Sequence, residues 1–134
     1  MTRTSPTLGR SPAAAHSLLV HARQVLGEAE AATDAGDRFR LAHLSALRTA
    51  AAVSAQRGRP ASVRRRLMNV WVLLERVAPE HAGWAAYFAA GAPIRAAVEA
   101  GALSAVTARA ADDQLRSAGQ FLELVESTSG LLAA

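Results

Sequence analysis

Arginine and histidine are the residues of this chain best suited to chemistry on a polyanion, and their spacing sets two candidates apart. Arg57, Arg59, Arg64, Arg65 and Arg66 fall within ten residues with no acid among them. The whole chain carries a formal net charge of only +4, so without those five and the tail residues Arg3 and Arg10 it would be net negative. Positive charge gathered at one hinge can hold phosphates, which the forked guanidinium matches geometrically. Three positive charges at Arg64–Arg66, expected in the first turn of a helix, also oppose the helix dipole, which a purely structural role would avoid. The run has no interleaved aromatic residues for base stacking, so it fits contact with a backbone rather than sequence-specific single-strand readout.

The second candidate is an imidazole acid or base beside a guanidinium that steadies a scissile phosphate. Arg10/His16, Arg38/His43 and Arg76/His81 have a suitable separation, a number close to chance for 15 arginines and four histidines. Arg10/His16 straddles the leading tail and the first helix. His43 shares a helix face with Phe39 and Leu47 and reads as a packed, hydrogen-bonded histidine. Arg76/His81 is the pair retained as a catalytic candidate, although Pro79 stands between its members.

Other chemistries have little support. The chain has no cysteine, which removes disulfides, thiolate metal sites and cysteine nucleophiles and fits a cytoplasmic setting. His16 and His21 are rotated off a common helix face, and neither His43 nor His81 has a carboxylate one turn away, so no metal and no cofactor are expected. The glycines stand singly rather than in a phosphate loop. Asp112 and Asp113 read as dipole and ion-pair residues of a helix start, paired with Arg116 and Arg109 respectively. All basic residues are arginine, which reflects coding bias more than selection.

The elements that must position these groups read as helices. Alanine dominates and aromatic residues make up 4%, a balance that favours helix over strand. Residues 1–11 form an expected flexible tail. Ser11-Pro12 is an N-cap followed by proline at the first helical position. Gly36 is expected to close that helix, Asp37 to cap the second, and Gly58 and Pro60 to stop it. Ser62 is expected to open a third, in which Leu67, Val70, Trp71, Leu74 and Val77 recur at helical spacing. Pro79 should break it, Glu80–Ala90 and Ile94–Ala100 should form short pieces interrupted at Gly91-Ala92-Pro93, and Thr107 should cap the last helix. There Ala111, Leu115, Ala118, Leu122 and Val125 make the inner stripe, and Gly119 is expected to permit close packing. The longest apolar run, Ala85 to Ile94, reaches about half of a bilayer span, so no membrane association is expected.

The stretches Asp37–Ala52, Val70–Glu80, Trp84–Ala92 and Ala111–Arg116 resemble an actinobacterial branch of the HEPN superfamily (higher eukaryotes and prokaryotes nucleotide-binding). The resemblance spans roughly residues 14–128. It implies an antiparallel helical bundle, homodimers, and association with RNA or nucleotide. It also implies that many members are metal-independent ribonucleases with an Arg-x(4–6)-His motif late in the bundle. A polar residue usually follows that arginine; here Val77 follows Arg76.

The expectation is therefore an all-α protein: an antiparallel up-and-down four-helix bundle with one or two short extra helices, occupying 12–130. It is read as a non-catalytic, homodimeric interaction domain that contacts RNA or nucleotide through Arg57, Arg59, Arg64, Arg65 and Arg66, or a separately encoded protein partner. The alternatives are a ribonuclease using Arg76 and His81 and a purely protein-binding module.

Overall fold

The computed structural model describes residues 11–58, 69–102 and 104–129. Among these residues five α-helices and one 3-10 turn follow in order: α1 (Pro12–Ala31), α2 (Ala35–Arg57), α3 (Val70–Val77), the turn Pro79–His81, α4 (Ala82–Glu99) and α5 (Ala108–Ser129). No strand occurs among the described residues, so the all-α expectation holds.

Local chemistry sets most of the boundaries. The Ser11 hydroxyl accepts from Ala14 N ahead of Pro12, and the Thr107 hydroxyl accepts from Ala110 N at the start of α5. Gly58 ends α2 with φ +82°, a conformation that glycine adopts without strain. Pro79 turns the chain after α3 into the 3-10 turn.

Four boundaries differ from expectation. The cap of α2 is Asp34, whose carboxylate accepts from Asp37 N at 2.9 Å; Asp37 instead occupies the positive first turn, and Gly36 is buried inside α2. The helix expected from Ser62 begins, where the chain is described, at Val70. Asn69 is extended there and its side chain accepts from Trp71 N and Val72 N, so an asparagine cap replaces a helix interior. Residues 62–68, with the expected Ser62 cap, lie outside the described residues. Finally, Gly91-Ala92-Pro93 does not interrupt α4. Proline there forfeits one backbone bond, but Gly91 is clamped by Phe39, His43 and Gln114, and tertiary packing carries the helix through.

The long helices α1, α2, α4 and α5 alternate in direction. Ser11 N donates to Ala55 O, so α1 starts where α2 ends. Arg38 meets Asp112 at one end and Gln56 meets Ser129 O at the other, so α2 and α5 run parallel and in direct contact. The backbones of α4 and α5 stay largely apart, and aromatic rings span the gap: Trp84 stacks on Phe121 at 5.4 Å, and Phe88 lies 5.7 Å from Phe121. By contrast, α1 and α2 approach closely through Ala15, Ala22, Ala42, Ala46 and Ala50, where Ser45 donates to Ala22 O. Small residues bring helix axes together; large ones hold them apart.

Gly119 also departs from expectation. A Cβ there would sit 3.8 Å from Leu26, an ordinary contact, so close packing does not require the glycine.

Candidate functional site

At the end of the bundle where α2 and α5 finish and the Pro79–His81 turn begins α4, an open groove of about 370 Å³ runs past Gln56, Arg57, Glu80, His81, Val125 and Thr128. Its geometry follows from local breaks. Gly58 ends α2 just beyond Arg57, and Pro79 swings Glu80 and His81 alongside it.

Arg57 donates to the Glu80 carboxylate and, at 3.3 Å, to Val77 O. As the last residue of α2 it also meets the negative end of the helix dipole. The hydrogen bond from Arg57 holds the Glu80 carboxyl below the usual carboxylate range. Thus the first guanidinium of the arginine run already carries an acidic oxygen. Arg59, Arg64, Arg65 and Arg66 lie outside the described residues.

His81 is only 6% exposed. Its ring meets Phe121 edge-on at 5.6 Å, and its Nδ1 is buried without a hydrogen-bond partner among the described residues. Burial pushes its pKa down; Glu80 opposes that shift and Arg57 adds to it. Arg76 is exposed in the last turn of α3, with no hydrogen bond or ion pair to a described residue, and does not line the groove. The fold therefore brings Arg57 and His81 to one groove and leaves Arg76 outside it.

Of the other two pairs, Arg10/His16 includes Arg10, which lies outside the described residues, and Arg38/His43 is dispersed as well. His43 is sealed in the core between Phe39, Trp71 and Phe88. Its Nε2 donates to Phe88 O at 2.9 Å, and its Nδ1 stands 3.3 Å from Arg95 as an acceptor. Burial is the main cause that lowers its pKa. Arg38 binds Asp112 and Ala32 O instead. Asp112 is thus taken by Arg38 and Asp113 by Arg116, across elements and within one turn, rather than by the partners the sequence suggests. No cluster of three or more ligating side chains among the described residues could hold a metal ion, and no described helix is long and apolar enough to cross a membrane.

Chemically the groove can bind an anion at Arg57 if Glu80 yields. Among the described residues no second acid or base hydrogen-bonds to His81 Nδ1. Glu80 was not singled out in the sequence, yet the signal was there: a carboxylate directly after a helix-breaking proline.

A family model described as SAV_6107-like HEPN matches residues 29–126 of the chain. No curated protein and no solved structure matches it.

Proposed function

The chain belongs to the HEPN superfamily, through its SAV_6107-like family, and on that premise we propose that it is a non-catalytic interaction domain that contacts nucleic acid through the arginine run from Arg57 to Arg66. The observation that carries this reading is the Glu80 carboxylate on Arg57. That guanidinium is oriented to take an acidic oxygen at the mouth of a groove, and Arg59, Arg64, Arg65 and Arg66 follow it within nine residues. A phosphate oxygen is the same kind of acceptor in the same fork. The domain acts as a homodimer or with a separately encoded protein partner. Val20 on α1 and Leu124 on α5, both exposed, support an outer contact face.

Binding of a uridine oligonucleotide across a salt series tests the reading. Affinity should fall with a log–log slope of about −0.7 for each phosphate neutralised. Replacing Arg64, Arg65 and Arg66 by Ala should remove most of that slope. Glu80→Gln, which releases Arg57, should steepen it by about one further phosphate. A slope near zero, or one untouched by the triple replacement, retires the arginine run as the contact.

A second reading rests on the unpartnered Nδ1 of His81 at the groove: a metal-independent ribonuclease using His81, with Arg57, which lines the same groove, in the role the sequence suggests for Arg76. Cleavage of RNA in EDTA that disappears in His81→Ala supports it, and absence of cleavage ends it.

A further inference from the structure

A second cavity, of about 230 Å³, opens between α4 and α5 toward the opposite end of the bundle. It exists because Trp84, Phe88 and Phe121 prop the two helices apart, leaving space where no large side chain follows. Phe39, Tyr87 and Ile94 wall it and Gln114 lines it.

Gln114 is the anomaly. It lies on the inner face of α5, otherwise lined by Ala111, Ala118, Phe121 and Leu122, and is 4% exposed. Its Nε2 donates to the Tyr87 hydroxyl at 3.4 Å, while its Oε1 is buried with no hydrogen-bond partner among the described residues. A buried carbonyl oxygen left unpaired lowers stability, and leucine would fit the stripe without that penalty. Residue 91 facing it is glycine; a Cβ there would stand 3.2 Å from Oε1, so the missing side chain keeps space beside the oxygen. Among the described residues that line the cavity, the one carboxylate, Asp113, is paired with Arg116, and none is basic. The site therefore offers aromatic walls and a neutral acceptor, and nothing that would hold a phosphate.

We propose that this cavity binds a small neutral aromatic molecule bearing an N–H or O–H donor, its ring against Phe39 and Tyr87 and its donor on Gln114 Oε1. The space admits a fused bicyclic ring and is too small for a nucleotide. This site is separate from the arginine run, and the two stand or fall independently.

Indole and 1-methylindole, the same ring with and without the donor, are the probes. Titrated into the isotope-labelled full chain, indole should give saturable NMR shifts at the Gln114 side-chain amide and at Tyr87. Its affinity should exceed that of 1-methylindole about tenfold, the effect of one hydrogen bond to a buried acceptor. Gln114→Leu, which removes the orphaned oxygen and should fold at least as stably, should bind the two probes equally. Ala110→Trp should block both by filling the mouth. Equal affinity of the unaltered chain for the two probes, shifts that map elsewhere, or no saturation overturns the proposal.

Discussion

Two histidines decide what this protein can do at the scale of single residues, and both are buried. Burial in the core, and an Arg95 guanidinium donating to its Nδ1, favour the neutral form of His43; the bond from its Nε2 to Phe88 O and, more weakly, Glu99, one turn beyond Arg95, oppose that preference. His81 is sealed against Phe121. Burial depresses both pKa values from the ordinary histidine range. Between the depressed folded values and the unfolded value near 6.5, the unfolded chain binds more protons than the folded one. Stability should therefore be complete above about pH 7 and fall as pH drops through about 6.5. Thermal denaturation between pH 8 and 5, by circular dichroism, should show that slope, and His43→Gln should flatten part of it by removing one titrating group. A melting temperature that rises on acidification contradicts the burial argument. His43 as a packed residue was legible from its place between Phe39 and Leu47. The position of His81 was not, because its cover, Phe121, lies forty residues away.

At the scale of the helix, the glycines separate what a sequence pattern can show from what only neighbours decide. Gly91 and Gly119 both sit within helices and look alike in sequence. At Gly91 a Cβ would press on Gln114, His43 and Phe39 at 3.2 to 3.3 Å; at Gly119 it meets Leu26 at 3.8 Å. Gly119→Ala should therefore stabilise by about 0.5–1 kcal/mol, the helix-propensity difference, while Gly91→Ala should destabilise by about 1–3 kcal/mol through overpacking. Urea denaturation of the two variants should move the midpoints in opposite directions. Capping was readable at Ser11 and Thr107, and was missed at Asn69, where apolar residues at helical spacing lie on both sides of the cap. It was misread where two aspartates three apart compete, because only the three-dimensional turn decides that Asp34 caps and Asp37 is capped.

For the whole molecule, the arrangement depends on one aromatic wedge. Phe121 touches His81, Trp84 and Phe88, and these rings join α4 to α5 although the two backbones stay apart. Phe121→Ala should cost about 3–5 kcal/mol, whereas Leu124→Ala, three residues along but exposed, should change stability by less than about 0.5 kcal/mol in the same urea titration. Similar costs for the two would mean that the wedge does not join the helices. The sequence by itself determined the all-helical class, the starts at Pro12 and Ala108, the stop at Gly58 and the break at Pro79, because each depends on propensity or on hydrogen bonds within one turn. It also carried the family. Only the tertiary structure decided that α2 packs on the parallel α5, that Arg57 rather than Arg76 shares a groove with His81, and that a cavity opens beside Gln114. Those outcomes depend on which side chains meet across long stretches of chain, and periodicity records that a face is apolar without recording what it will touch.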